Sequence, residues 1–259
     1  MVIRQCATRY RPIRTRIDEI SRWIGRIPPP ADGARKTHHK EMPESPPSQC
    51  PLCNGPADCR PLNPARPLRH CRQCDLIFAS PETHPDPDAE RERYLRHENS
   101  LDDPGYVATF DAVLELMGRR ATAAGHTLDF GSGPTPVLVE LLRRQGFDAV
   151  GYDPYFAPDT DLSGPFDAIV SVETFEHFAR PRRELETLRA RLAPGAPLIV
   201  KTLFHPGPDA LDGWHYLRDH THVSFYSAAT FEWIASGFDF RLVEHDSVSI
   251  ACLVAPESA

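Results

Sequence analysis

From residue 127 onward, short apolar runs alternate with longer amphipathic segments. Thr127–Phe130, Ala149–Asp153, Ala168–Val172 and Leu198–Thr202 are brief, largely apolar stretches, the pattern of strands buried on both faces. Between them, Pro136–Gln145 and Pro181–Leu192 repeat apolar residues at helical spacing. Each begins with proline, whose missing N–H costs least in the first helical turn. Ala228–Ser236 predicts another helix, with Ser227 as its N-cap and Gly237 closing it. Phe240–Glu244 and Ser249–Val254 read as final strands. The alternation predicts an α/β domain over 127–259 whose mostly parallel sheet is covered on both faces.

The pattern differs upstream. Residues 48–80 form a short segment built around cysteine pairs, and 81–126 read as a helical linker, with helical stretches at Ala89–His97 and 107–118. In residues 1–47, Ile13, Ile17, Ile20, Ile24 and Ile27 fall at helical spacing, followed by Pro28–Pro30. The region is expected to be a basic, disordered extension. Three readings stay open for it: an organelle transit peptide, an upstream extension with Met42 as the true start, or a mobile tail.

Composition narrows the function classes. In 259 residues, 41% are hydrophobic and 25% charged, which allows a sizeable core. No apolar run reaches the roughly 18 residues of a membrane span. Residues 1–40 carry 10 basic and 3 acidic side chains, a net of +7. The whole chain is −7, so residues 41–259 carry −14. An acidic body is a poor match for a phosphate backbone, so nucleic acid is not the expected partner. Seven cysteines, four of them in CxxC pairs, suit metal binding in a reducing cytoplasm better than disulfides.

Cys50, Cys53, Cys71 and Cys74 carry the sharpest spacing signal. Two CxxC pairs separated by seventeen residues supply four thiolates from two turns, the requirement of a closed structural Zn2+ site. Leu52, Leu62, Leu76 and Phe78 are positioned to pack around them. A second signal is Leu128-Asp129-Phe130-Gly131-Ser132-Gly133, between a strand and a helix. Glycines there let backbone approach a ligand closely. Asp153 ends the following strand, where an acid accepts hydrogen bonds from ribose hydroxyls.

With LDFGSG (128–133), GYDP (151–154), FDAIVSVETFEHF (166–178) and LAPGAPLIVKT (192–202) in this order, residues 127–255 resemble the class I S-adenosylmethionine (SAM) dependent methyltransferases. The resemblance implies a Rossmann-like domain in which Gly131 and Gly133 line the cofactor, Asp153 holds its ribose and Asp129 positions its methionine part. Two departures stand out. Thr135 occupies the family's third glycine position, and twelve residues between Asp153 and Phe166 leave no room for the usual helix and third strand. A trimmed sheet is expected. The cysteine module is similar to knuckles that precede the catalytic domain in bacterial sugar C-methyltransferases and in a ribosomal RNA guanine methyltransferase.

Three further motifs lie around this frame. Glu173-x-x-Glu176-His177 resembles a sequence associated with Mg2+ in ubiquinone-pathway O-methyltransferases. The alternative is that Glu173 faces the cofactor and Glu176-His177 anchors a loop. Residues 212–227 are rich in histidine and aromatics, with His222 the leading candidate base, His220 next and His177 a third; Asp219 is a candidate to orient a histidine. Residues 94–106, ending at Tyr106, resemble a lid over the cofactor. The expectation is a cytoplasmic bacterial enzyme that methylates O, N or C of a small molecule, with no membrane partner. Its oligomeric state is not readable from sequence. An RNA methyltransferase that grips RNA with the cysteine module, and a non-catalytic SAM-binding scaffold, remain the alternatives.

Overall fold

The computed structural model describes residues 49–56, 62, 66–96 and 99–258, so the expected helix at Ile13–Ile27 and the rest of the basic extension lie outside the described residues. Two short strands come first, β1 (Leu68–His70) and β2 (Ile77–Ala79). Three helices follow: α1 (Pro87–Tyr94), the single turn α2 (Pro104–Val107) and α3 (Asp111–Arg120). The larger part comprises β3 (His126–Phe130), α4 (Val137–Arg144), β4 (Asp148–Tyr152), β5 (Ala168–Val172), α5 (Pro181–Arg191) and β6 (Pro197–Lys201). It ends with β7 (Ser224–Phe225), α6 (Ala228–Gly237), β8 (Arg241–His245) and β9 (Ile250–Val254).

The six-stranded sheet runs β4-β3-β5-β6-β9-β8. β4, β3, β5 and β6 are parallel, and β9 enters antiparallel between β6 and β8. The expected trimming is observed: among the described residues no helix or strand lies between β4 and β5. Strand alternation sorts side chains onto two faces. Leu128, Phe130, Ile169, Leu198, Val200 and Leu253 join one core with Leu185 and Leu188 of α5 and Phe231 and Ile234 of α6. Ala168, Val170, Ile199 and Cys252 point the other way, against α3 and α4.

The same first core holds Cys50, Leu52, Cys71, Cys74, Leu76 and Phe78. The cysteine module therefore shares its interior with the main sheet. A second, three-stranded sheet makes the join: β1 pairs with β2, and β2 pairs with β7 from the far end of the chain.

Caps follow the sequence in one place and depart from it in another. Ser227 caps α6 and exchanges hydrogen bonds with Thr230, a complete capping box. Gly237 does not close α6 in the left-handed conformation; it is the last helical residue, and Asp239 takes the positive φ of 56°. Among the described residues no helix is long and apolar enough to cross a membrane.

Candidate active site

In an open parallel sheet, ligands bind beyond the strand C-termini where the strand order reverses, here between β3 and β5. Gly131, at the end of β3, has φ +90°, and a Cβ there would sit 2.2 Å from the Thr174 hydroxyl, so only glycine fits this approach. Gly133, at φ +68°, faces open space. The Gly131 and Ser132 amides both donate to the Tyr152 carbonyl, tying the turn to the end of β4.

Asp153 is buried and fully engaged. Its carboxylate accepts from the Gly133 amide at 3.0 Å and from the Tyr155 and Phe156 amides at 2.8 and 3.1 Å. It pins the glycine turn to its own. Asp129 is buried one strand over; burial, then the Asp153 charge, raises its carboxyl to about 7. Glu173 follows β5 with a positive φ of 50°. Its side chain keeps access to solvent. Dehydration there and the nearby Glu176 raise it to about 7, while Lys201 pulls the other way. Burial, then the Asp129 and Glu173 charges, raises the Tyr106 hydroxyl.

Residues 205–227 bring a further set of groups beside Glu173. Tyr216 is its hub: its hydroxyl lies 2.6 Å from Glu176 Oε1 and 2.9 Å from Glu173 Oε2. Thr202 donates to the other Glu176 oxygen at 2.8 Å. His177 and His222 stand edge to face, with ring centroids 4.9 Å apart. Nδ1 of His222 meets the Tyr216 carbonyl at 2.9 Å and Nδ1 of His177 the Thr221 carbonyl at 3.0 Å. A carbonyl only accepts, so both Nδ1 atoms carry hydrogen and Nε2 holds the lone pair. Burial, then His177, pushes His222 down to about 3, so it is neutral at physiological pH.

The loop is braced from outside. Arg66 donates to the carbonyls of Asp219, His220 and His222. Arg93 of α1 holds Asp219 Oδ2 through two N–H groups at 2.9 and 2.7 Å. On α1, Glu90 accepts from the Tyr94 and Tyr155 hydroxyls, both at 2.6 Å, and the Tyr94 ring packs on His177.

The four cysteines converge. All four Sγ atoms lie within 4.8 Å of one another. The two turns repeat one hydrogen-bond pattern: Cys50 N to Gly55 O with Asn54 N to Cys50 O, and Cys71 N to Leu76 O with Asp75 N to Cys71 O. Asn54 and Asp75, the residue types that tolerate left-handed backbone, have φ 61° and 59°. Paired knuckles with buried sulfurs fit a tetrahedral ion with Zn–S bonds of about 2.3 Å.

Comparison with known proteins decides the family. A model described as a methyltransferase domain matches residues 94–245, more than half of the chain. The chain belongs to this methyltransferase family. A ubiquinone biosynthesis O-methyltransferase from a Caulobacter species is 40% identical over 62 residues, 23% of this chain and 24% of that relative's length. The match therefore spans about a quarter of the curated relative. In shape, the methyltransferase is similar to the N-methyltransferase NodS of Bradyrhizobium japonicum, solved with S-adenosyl-L-homocysteine (15% identity, TM-score 0.45, 65% of this chain and 98% of that one). It is also similar to a SAM-dependent methyltransferase of Aquifex aeolicus (18% identity, TM-score 0.44, 64% and 97%).

Of the residues expected from sequence, Asp153 holds the Gly133 amide, Glu173 and Glu176 both meet the Tyr216 hydroxyl, and His222 packs against Tyr216 and His177. His220 is exposed, and its backbone carbonyl is what enters the network. Asp219 does not orient a histidine; its oxygens take Arg93 and Thr221, and backbone carbonyls fix both imidazoles. Besides the four cysteines, Glu176, His177 and His222 form a group of potential metal ligands among the described residues. Glu173 and Glu176 both reach the Tyr216 hydroxyl, and Glu173 lies outside that three-residue group. Tyr216, Arg93 and Arg66 were not foreseeable as site residues. Tyr216 lies inside the aromatic stretch, but its double contact with two glutamates is a tertiary event.

Proposed function

We propose that this chain transfers the sulfonium methyl group of SAM to a nucleophilic oxygen, nitrogen or carbon of a small molecule. The carrying observation is the glycine turn, Asp153, Asp129 and Glu173 gathered at the strand-order reversal. Asp153 would take the ribose hydroxyls. Asp129 and Glu173 would face the cationic end of the cofactor's methionine part. The identity of the curated O-methyltransferase relative supports a small acceptor, as does the acidic body.

Methyl transfer is an in-line displacement, so the enzyme's main task is to hold donor and acceptor in line. An acceptor that loses a proton needs a base within hydrogen-bond reach. His222 is that base in this reading, because its Nδ1–H is tied to Tyr216 and its Nε2 lone pair is free to receive a proton. His177 stands second, against Tyr94. The four cysteines would hold a structural Zn2+, which anchors the module whose strand β2 carries the end of the loop. Mg2+ has less support, since the group around Glu176 is completed by ring nitrogens of His177 and His222 and not by the Glu173 carboxylate.

Calorimetric titration with S-adenosylhomocysteine tests the reading. Saturable binding at one site per chain is expected. Absence of binding by folded protein would overturn it.

A further inference from the structure

The Glu176–His177–His222 group has features that base catalysis does not require. Glu176 is wholly buried; its side chain meets the Tyr216 and Thr202 hydroxyls and the Glu173 carboxyl, and among the described residues no cationic side chain forms an ion pair with it. A buried carboxylate without a countercharge is costly. One carboxylate oxygen of Glu176 and one ring nitrogen from each histidine lie within 4.8 Å of one another.

Both histidines also show the outer contacts of metal-binding imidazoles. Each presents Nδ1–H to a backbone carbonyl, which fixes the ring and leaves Nε2 as the nitrogen able to ligate. No hydrogen bond within the protein claims either Nε2 among the described residues. Tyr216 and Thr202 each occupy one acceptor position on a Glu176 oxygen, and a carboxylate offers about four. The rings sit 4.9 Å apart, close enough for one ion about 2.1 Å from each nitrogen to reach both after a small contraction.

We infer that Glu176, His177 and His222 form a second metal site, separate from the four cysteines, for a divalent transition ion such as Zn2+ or Fe2+. Two imidazoles and one carboxylate are the donor set such ions take, whereas Mg2+ prefers an all-oxygen shell. Three protein ligands leave an open position, as at metal centres that bind a substrate oxygen. Under the methyltransferase reading, that position would take an acceptor hydroxyl and favour its deprotonation, and in the metal-loaded protein His177 and His222 would act as ligands in place of the base role given above. Metal binding itself does not depend on that reading.

Full-length protein with zinc retained on its cysteines, dialysed against a mild chelator, would be titrated with Co2+ and its metal content counted. A second equivalent is expected, with weak visible bands and no thiolate charge-transfer band. His177→Gln and His222→Ala should lose it while keeping the thiolate-bound ion. In the unmutated protein, 15N resonances of two imidazole Nε2 atoms should shift on adding Zn2+, a readout that needs no variant to fold. A metal count that stops at the thiolate-bound ion, imidazole resonances that do not move, or a second ion that persists in both variants would each overturn the proposal. Calorimetry with S-adenosylhomocysteine on the same samples separates the outcomes: a second ion without cofactor binding would sink the methyltransferase reading alone.

Discussion

At the residue scale, two buried carboxyl groups, Asp129 and Asp153, stand at the glycine turn. Asp153 is committed to three backbone amides across two turns, so its removal affects both the ligand and the ligand's cradle. Asp153→Ala should weaken S-adenosylhomocysteine binding at least tenfold, about 1.4 kcal/mol or more, by calorimetry. Asp153→Asn keeps an acceptor oxygen and should lose less. Unchanged affinity in both would remove the ribose assignment. Asp129 carries a pH prediction. Burial raises its carboxyl from 3.8 to about 7, so the folded state holds a proton that the unfolded chain has released. Its contribution to stability is therefore complete below 3.8 and is lost as pH rises to about 7. Thermal melting of ligand-free protein should show that decline, and Asp129→Asn should flatten it. Asp129 was visible in the sequence as the acid before the glycines. Its raised carboxyl was not, because burial and the distance to Asp153 come from the pairing of β3 with β4.

At the element scale, the 205–227 loop is held by groups distant in sequence. Arg66 takes three of its carbonyls, and Arg93 of α1 takes Asp219. A loop braced this way should be ordered before ligand arrives. Arg66→Ala leaves those carbonyls without their donor. Amide hydrogen exchange within 219–223 should speed up clearly, while S-adenosylhomocysteine affinity stays within about twofold. Unchanged exchange would show that Arg93 and the β2–β7 pairing suffice. The strands and helices from β3 onward were legible because apolar period changes from strand to helix spacing, and because proline and Ser227 mark helix starts. The brace was not legible. Arginine is the chain's common cation, and nothing local distinguishes Arg66 from the others.

At the scale of the whole molecule, the cysteine module belongs to the main core. Cys50, Cys71 and Cys74 are buried in one cluster with Leu128, Ile169 and Leu198. Asp75, on the second knuckle, reaches the far end of the chain: its carboxylate accepts from Ser227 at 2.6 Å, and its carbonyl contacts His205 at 2.8 Å. Disrupting the knuckles should therefore destabilise the molecule as a unit. Cys50→Ser is expected to give one cooperative melting transition several degrees below that of the parent protein. A separate low-temperature transition, with the main one unmoved, would show that the module folds independently.

The sequence by itself determined the α/β class, the order of strands and helices, the absent element between β4 and β5, the paired CxxC spacing and the glycine turn. Each depends on local periodicity, chain length or the conformational freedom of one residue type. Tertiary structure decided which side chains share a site. The pairing of β2 with β7 set the histidine loop beside the cysteine knuckles. Tyr216 drew two glutamates together, and His222 replaced Glu173 as the third member beside Glu176 and His177. Such convergence depends on long-range packing, which brings together residues forty or more positions apart and leaves no period in the chain to read.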